Sequence, residues 1–301
     1  MGSRREFLPR RTNRRNPAGG WLLAAAALAP APEVVLRARA LEPGEIVRVD
    51  VASAGCALAS PKATFLDQKI AFVADGEAKK SWSGWLVIPL DRGPGNVDVV
   101  VDTSCADGTG HQEVRHAILV EPKTFTEQKL DVESKYVNPP KAALVRIDKE
   151  KKRLAEVYAR RTPIPASSSA FVMPVPGDPT SEFGSRRILN GVPKAPHPGI
   201  DLRAATGTPV AAAGGGVVAI ASDLYYSGNT VILDHGAGLF TVYAHLSKIE
   251  VKEGATVKAG ERLGLSGATG RVTGPHLHWG GRVGGEIFDP RGLTDPKLFS
   301  N

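Results

Sequence analysis

The sequence predicts a mainly β protein in which one charged, helix-forming segment separates two β-rich regions. Glycine (33 residues) and proline (23 residues) are spread along the 301-residue chain, which favours many turns and short strands over long helices. Strand-like runs recur before residue 122 and after residue 165, and the one long stretch with few turn formers lies between them. A chain of this length holds one large domain or two medium ones.

Residues 1–40 are predicted to be a signal or leader segment. Six arginines between positions 4 and 15 precede an apolar run over residues 21–29 that is too short to span a membrane. Residues 3–8 resemble a twin-arginine signal, although the apolar run begins far downstream of it. Cleavage after Ala29, Ala31 or Ala40 stays open. The alternatives are a disordered basic tail and an uncleaved leader, which would be the chain's route to a membrane.

The net charge of +7 is concentrated in this leader. Residues 1–40 contain eight arginines and two glutamates, so the rest of the chain has a formal charge of about +1. No basic face with interleaved aromatic residues follows, which argues against nucleic acid as a partner. We therefore expect an exported protein that is periplasmic or associated with the cell envelope.

Residues 41–121 are predicted to form a small immunoglobulin-like β-sandwich domain. Cys56 and Cys105 are the only cysteines, and in an exported protein an even pair predicts a disulfide. No catalytic constellation is visible, so a spacer, a localisation module and a chaperone-like pro-region all stay open. Turn signals separate strand-like runs at regular spacing, over residues 46–51, 69–74, 85–90, 97–101 and 115–121.

Residues 122–165 are predicted to be a connector with an amphipathic helix. Asn138 suits the N-cap position and Pro139 the first helical turn, while Pro163 and Pro165 are expected to end the helix. An incomplete apolar stripe predicts that the helix packs against one or both domains. This stripe comprises Leu144, Ile147, Leu154, Val157 and Tyr158.

Residues 166–301 are β-rich again and contain three segments with candidate metal ligands. His197 and Asp201 are separated by Pro198 and glycine, so they belong to a turn that runs into a strand and not to a helix. His245 ends a strand-like run. In the third segment a His-Leu-His sequence at 276–278 places two imidazoles on one face of a strand, roughly 7 Å apart.

Two imidazoles and a carboxylate form a ligand set that suits Zn²⁺. A catalytic zinc site keeps three protein ligands and an open position. A further imidazole on the same strand face is then within reach for proton transfer. A single His-x-His is weak evidence, because strand histidines are often half-buried polar residues. The complete set, spread in order over some eighty residues, favours a functional site over unrelated packing.

These segments resemble the lysostaphin/LytM-like zinc endopeptidases, which cut peptidoglycan cross-bridges. The family pattern of His-x-x-x-Asp, a lone His and then His-x-His is present in order, and the resemblance covers residues 166–301. It implies a LytM-like antiparallel β domain with Zn²⁺ at the floor of a groove. It also implies His197, Asp201 and His278 as the zinc ligands, and His245 and His276 as the catalytic pair.

The function implied by the resemblance is zinc-dependent hydrolysis of peptide bonds in peptidoglycan stem peptides or cross-bridges. His276 is then expected to be the base, and His245 to hold the oxyanion or protonate the leaving amine, although the two roles are exchangeable. The alternative is a non-catalytic LytM-like module that binds and activates a cell-wall amidase, and the intact ligand set argues against it. Tyr225, Tyr226 and Asn229 are candidates to line the groove.

The connector is a candidate for restraining access to this groove. Members of the family can be held latent by an upstream segment that donates an asparagine side chain to zinc. Asn138 is the nearest such residue here, beside its simpler role as a helix cap. We therefore expect either zinc ligation by Asn138, steric cover by the connector, or a connector with neither effect.

Overall fold

The computed structural model describes residues 32–164 and 169–300 and confirms a mainly β protein built from antiparallel sheets. Residues 1–31, which contain most of the predicted leader, lie outside the described residues. Within the described ranges, no helix is both long and apolar enough to cross a membrane.

Two four-stranded antiparallel sheets form the N-terminal part, with strand orders β1-β2-β6-β5 and β4-β3-β7-β8. Alternate residues of both sheets share one apolar core, as expected for a sandwich. The strands are β1 (Glu33–Ala38), β2 (Ile46–Ala52), β3 (Lys62–Phe65), β4 (Gln68–Ile70), β5 (Phe72–Ala74), β6 (Ser81–Val87), β7 (Gly95–Thr103) and β8 (Gln112–Val120).

Two details of the predicted boundaries differ in the structure. Residues 69–74 were expected to be one strand, but β4 and β5 belong to different sheets, because the chain crosses from one sheet to the other at Ala71. Residues 33–38 fall within the predicted leader, yet they form the edge strand β1 and pair with β2 along their whole length. Cleavage after Ala40 would remove this strand, so we propose that the leader ends before Glu33.

Cys56 and Cys105 are joined by the predicted disulfide. The bridge closes a loop with a sequence separation of 49 residues, and Cys105 also pairs with the backbone of Leu58. It therefore ties the segment after β2 to the end of β7, which lie in different sheets of the sandwich.

The connector contains β9 (Glu127–Leu130), the short helix α1 (Ser134–Val137) and the long helix α2 (Lys141–Tyr158). Asn138 is not the N-cap of the long helix, contrary to the sequence prediction. It ends α1, and Pro140 stands at the N-cap position of α2 without a side-chain cap. The physical reason is that residues before proline avoid helical dihedrals, so Asn138 and Pro139 both stay outside the helix.

Helix α2 packs with its apolar stripe on the C-terminal sheet. Val157 is buried in a cluster with Ile220, Ile232 and Phe240, and Tyr158 contacts the Phe240 ring edge-on at 5.4 Å. Leu144, the first residue of the predicted stripe, is 49% exposed. The helix ends at Tyr158, before Pro163. Beyond the helix, the Thr162 carbonyl accepts a hydrogen bond from Ala237 N–H.

The C-terminal part is built on a ten-stranded sheet with the main order β10-β13-β20-β17-β16-β15-β18. Strand β19 pairs with both β17 and β14, and β21 pairs with β20. The strands are β10 (Pro179–Ser181), β11 (Arg186–Leu189), β12 (Val192–Pro193), β13 (Gly199–Leu202), β14 (Pro209–Ala211), β15 (Gly216–Leu224), β16 (Gly228–Asp234), β17 (Leu239–Ile249), β18 (Thr256–Val257), β19 (Arg262–Ser266), β20 (Leu277–Val283) and β21 (Glu286–Phe288).

Strands β11 and β12 form a small hairpin outside the large sheet. Strand β9 of the connector pairs with β11 in parallel, so the connector contributes a strand to the C-terminal part. Two 3-10 turns, Pro290–Thr294 and Pro296–Leu298, end the described chain.

The N- and C-terminal parts share one apolar core. Ile46 and Trp85, from the first sheet, are buried in the same cluster as Phe171, Phe288 and Leu293. Above this core, Arg39 donates to the buried carboxylates of Glu45 and Asp289, the second at 3.0 Å. The sandwich and the C-terminal sheet are therefore packed as one body.

We expect the disulfide to be fully formed in the exported protein and to stabilise it measurably. Replacing both cysteines by serine should lower the free energy of unfolding by roughly 4 kcal/mol, since the open loop of the unfolded chain gains entropy. Denaturant unfolding of the oxidised protein and the double variant measures the difference. Thiol titration of denatured, unreduced protein should find no free thiols, and two thiols per chain would contradict the prediction.

Candidate active site

The pairing of β13 with β20 brings the first two candidate ligands together. Asp201 stands opposite His278 in this antiparallel register, and Ile200 stands opposite Trp279. Because successive strand residues point to opposite faces, Ile200 and Trp279 enter the core while Asp201 and His278 share the other face. The polar pair is therefore fixed by the burial of its apolar neighbours.

His197 reaches the same point from the turn before β13. Gly199 is required where the chain enters the strand, because a Cβ there would lie 2.3 Å from the Trp279 carbonyl oxygen and 2.9 Å from His278 Cε1. The absence of a side chain leaves room for the His278 ring, and Pro198 turns the chain so that His197 faces it.

The three predicted ligands converge on one point. His197 Nε2 lies 3.0 Å from both His278 Nδ1 and Asp201 Oδ1, and His278 Nδ1 lies 2.9 Å from Asp201 Oδ1. Tetrahedral bonds of about 2.0–2.1 Å would place zinc donor atoms roughly 3.3 Å apart. The residues therefore fit Zn²⁺, with a widening of only a few tenths of an ångström, and all three are buried.

The second nitrogen of His197 fixes its tautomer. Nδ1 lies 3.0 Å from the carbonyl oxygen of Glu182, which can only accept a hydrogen bond, so Nδ1 carries the hydrogen and Nε2 presents a lone pair to the cluster. Burial lowers the pKa of His197 to about 4. The ring is therefore neutral at physiological pH, as a metal ligand must be.

Asp201 is held from both sides. Burial alone would raise the pKa of this carboxyl group, but its interactions with the imidazoles of His197 and His278 outweigh burial and keep the pKa below its ordinary value. On the other side Arg187 Nη2 donates to Asp201 Oδ2 at 2.9 Å. One carboxylate oxygen is thus directed to the imidazoles and the other is anchored by a guanidinium. Sequence reasoning missed Arg187, because nothing in its spacing links it to Asp201.

His245 and His276, the predicted catalytic pair, lie beside this cluster with ring centroids 4.9 Å apart. Nδ1 of His245 donates to the Thr269 carbonyl at 2.8 Å, and Nδ1 of His276 donates to the Gly274 carbonyl at 2.8 Å. Both rings therefore keep a lone pair on Nε2. His276 Nε2 lies 3.6 Å from Asp201 Oδ1, next to the candidate ligand atoms.

His245 is also the site residue with a strained backbone. Its φ is +64°, a left-handed conformation that costs a residue with a side chain about 1–3 kcal/mol and persists where the surroundings enforce it. Its N–H donates to the Ser227 carbonyl at 2.9 Å, which holds this geometry. Burial, followed by the nearby imidazoles of His278 and His276, lowers its pKa to about 3.

The predicted groove-lining residues have different surroundings. Tyr225 is tied to the connector through its hydroxyl, which donates to the Lys135 carbonyl at 2.8 Å. Tyr226 lies under the guanidinium of Arg271, 5.1 Å from its ring centroid. Asn229 donates to the Ser247 carbonyl at 3.4 Å. Of the three, only Tyr226 contacts a charged group, Arg271, that no carboxylate of the described residues neutralises.

Three histidines take no part in the cluster. His235 is buried and bonded to Gly215 and Thr241, so it does not serve the substrate. His111 pairs with Asp102 on the exposed surface, and His116 lies on β8, both in the sandwich.

A cavity of about 150 Å³ separates helix α2 from the face of the sheet that bears His278. Its lining includes Leu154, Tyr158, Pro198, Val242 and His278. The long helix therefore covers one end of the surface on which the cluster lies.

The connector also contacts the C-terminal part at two separate places, which we call the two walls. At the first wall, the Asn190 side chain makes two hydrogen bonds of 2.8 Å to the backbone of Val132. At the second wall, the rings of Tyr136 and Tyr225 are 5.5 Å apart. We call residues 131–140, which run between these contacts, the strap. Within it Asn138 is exposed, and its side chain makes no hydrogen bond to the other described residues.

Known proteins share this part of the chain. Residues 195–290 match the sequence model of peptidase family M23. The chain is 52% identical over 102 residues to peptidoglycan DD-endopeptidase ShyA of Vibrio cholerae, and 43% identical over 100 residues to DD-carboxypeptidase/endopeptidase Mpg of Neisseria meningitidis. Each match covers 33% of this chain but only 24% and 23% of the relative. The chain thus spans about a quarter of the length of these curated relatives.

A solved structure from Pseudomonas aeruginosa, assigned to peptidase M23, is similar over a much longer range. The match covers 84% of this chain and 95% of that one, with 31% sequence identity and a TM-score of 0.63. The chain belongs to peptidase family M23. The predicted resemblance to lysostaphin/LytM-like peptidases is therefore confirmed, and the M23 similarity extends beyond residues 166–301 into the N-terminal part.

We expect Arg187 to set the metal affinity of this M23 site through Asp201. Replacing it by methionine removes the hydrogen bond to Oδ2 and should weaken zinc binding by about 10–100-fold, the usual effect of losing an outer-sphere partner. Loss of the positive charge of Arg187 would by itself strengthen zinc binding. A net decrease in zinc affinity would therefore show that orientation of the Asp201 carboxylate has the larger effect. Competition with a chromogenic chelator measures the affinity.

Arg186→Met is the matched control, because Arg186 is the exposed neighbour on the same strand. Its zinc affinity should equal that of the unaltered protein. Equal affinities for the two variants would show that Arg187 does not orient the ligand.

Proposed function

We propose that the protein is a zinc-dependent endopeptidase that hydrolyses peptide bonds in peptidoglycan stem peptides or cross-bridges. The observation that supports this most is the convergence of His197, Asp201 and His278 on one point, with the Nε2 lone pairs of two further histidines beside it. The names of the M23 relatives, a peptidoglycan DD-endopeptidase and a DD-carboxypeptidase/endopeptidase, point to the same substrate class.

Zn²⁺ held by the three buried residues would supply a Lewis acid that polarises the scissile carbonyl and makes water a better nucleophile. His276 takes the proton of the attacking water on Nε2, because this atom adjoins the ligand oxygen of Asp201. The proton that His276 takes must reach the leaving amine. His245, whose ring centroid lies 4.9 Å from that of His276, either receives this proton on Nε2 and gives it to the amine, or holds it as a hydrogen bond to the oxyanion before the amine takes it. General acid–base assistance of this kind contributes about 10²–10⁴-fold in rate.

We further propose that the protein acts in the cell envelope, where peptidoglycan is found. The basic and apolar leader supports export, and the disulfide between Cys56 and Cys105 suits an oxidising compartment. A non-catalytic module that activates an amidase is the alternative. It would bind zinc and stimulate an added amidase without releasing peptides itself.

The five site residues should divide into two classes when each is replaced by alanine. Variants at His197, Asp201 and His278 should lose both zinc and activity, because each removes a ligand. Variants at His245 and His276 should keep near-stoichiometric zinc and lose turnover. Metal analysis, together with mass spectrometry of muropeptides released from purified sacculi, measures both properties.

His111→Ala is the control, since His111 is exposed in the sandwich and should affect neither property. Loss of zinc from the His276 variant, with retention in the His278 variant, would show that the two roles are reversed. Full zinc content without any released peptide from the unaltered protein would contradict the endopeptidase and support the amidase activator.

We also propose that the strap limits access to the groove by steric cover. It is supported by the contacts that hold residues 131–140 to both walls, and by the burial of the candidate ligands beneath a surface that must admit a polymer. If the strap acts by steric cover, the restraint depends on the wall contacts and not on the Asn138 side chain. Zinc ligation would instead require that side chain.

Loosening both ends of the strap should therefore accelerate hydrolysis. The double variant Tyr136→Ala/Asn190→Ala removes one ring contact and two hydrogen bonds, and should raise the rate on sacculi by up to about 30-fold if each hydrogen bond contributes on the order of 1 kcal/mol. Zinc content should not change. Asn138→Ala is the control and should leave the rate as it is. A rate increase in the control, or none in the double variant, would refute steric cover.

A further inference from the structure

Arg271 is a half-buried cation for which the described residues offer no carboxylate partner. Its guanidinium lies 5.1 Å from the centroid of the Tyr226 ring, and no ion pair joins it to an aspartate or glutamate of residues 32–164 or 169–300. Stacking on an aromatic ring leaves the edge of a guanidinium, with its N–H donors, free to bind an anion.

The loop that bears Arg271 is rigid and belongs to the site. Arg271 N–H donates to the Tyr226 carbonyl at 2.8 Å. Gly270 approaches the neighbouring turn so closely that a Cβ would lie 2.4 Å from Gly228 N. Two residues earlier, the Thr269 carbonyl holds His245 Nδ1. The guanidinium is therefore positioned by the same loop that orients the predicted catalytic histidine.

A second guanidinium adds to the positive potential here. Arg187 is committed to Asp201 Oδ2, whose other oxygen faces the imidazoles. Burial, and then the positive charge of Arg187, lower the pKa of Arg271. Because the Asp201 carboxylate pairs with Arg187 and not with Arg271, Arg271 leaves an excess of positive charge in a partly desolvated place, and such places favour anions.

We propose that Arg271 binds a free carboxylate of the substrate on the residue that supplies the leaving amine. This inference rests on the proposed peptidase function and narrows its substrate. In a D-alanyl cross-link to a diamino dicarboxylic acid, the carbon that bears the scissile nitrogen also carries a carboxylate. A glycine bridge or a lysine side chain offers none at that position. The chemistry therefore selects the first kind of cross-link.

The test compares two soluble stem-peptide dimers with a D-alanyl cross-link, identical except that this carboxylate is free in one and a carboxamide in the other. The full-length, zinc-loaded protein should hydrolyse the carboxylate dimer with a kcat/KM about 10–100-fold higher, the usual effect of a charge-assisted hydrogen bond. In Arg271→Gln the preference should fall to near unity, mainly through loss on the carboxylate dimer, and Arg271→Lys should recover part of it.

Arg262→Gln is the matched control, because Arg262, on β19, is an exposed arginine that pairs with Glu250. It should keep the full preference. Equal hydrolysis of both dimers by the unaltered protein would overturn the proposal. An equal loss on both dimers in Arg271→Gln would also overturn it, since Arg271 would then act only by packing on Tyr226.

A binding measurement separates this inference from the peptidase proposal. Isothermal titration of the metal-free protein with the amine-side product peptide should show about 10-fold or greater preference for its carboxylate form over its carboxamide form, lost in Arg271→Gln. If neither dimer nor sacculi are hydrolysed, the proposed function fails, and this binding preference alone decides the role of Arg271. Equal binding of the two peptides would overturn it.

Discussion

The carboxylate of Asp201 is the interaction on which the site depends. Burying a negative charge is costly unless it is paired and hydrogen-bonded. Here Oδ2 is paired with Arg187, and Oδ1 is surrounded by the nitrogens of His197 and His278. The carboxylate oxygen and the lone pair of His197 Nε2 thus face one point, and a divalent cation placed there would be attracted to both.

The large sheet supplies the rigidity that this cluster needs. Trp279 and Tyr243 are fully buried on the core side of β20 and β17, so a slip of one residue in register would move them to the groove and bury His278 in the core. Apolar packing therefore specifies the positions of polar groups that could not hold themselves in place. Among the five site residues, His245 is the exception. The backbone of its strand departs from regular β geometry there and takes a left-handed conformation.

The sequence identified residues better than it identified their surroundings. The histidines and Asp201 are recognisable because their spacing has a chemical reason, and alternation in strands predicts which of them share a face. Arg187 and Arg271 act across contacts between distant segments, so local spacing contains no trace of them. Residues 69–74 show the same limit of local sequence, since an apolar run indicates a strand but not which sheet the strand joins. By contrast, the two prolines that follow Asn138 already exclude a helix start there, because a residue before proline avoids helical dihedrals.

The shared core between the two parts of the chain has a consequence for biosynthesis. Ile46 and Trp85 are covered by Phe288 and Leu293, so the first sheet to leave the ribosome keeps an uncovered apolar surface until these C-terminal residues have followed it. The growing polypeptide would thus remain dependent on protection against aggregation until residues 288–293 are made. Any product truncated near its C-terminus would lose not only a few terminal turns but also the cover of a sheet made more than two hundred residues earlier.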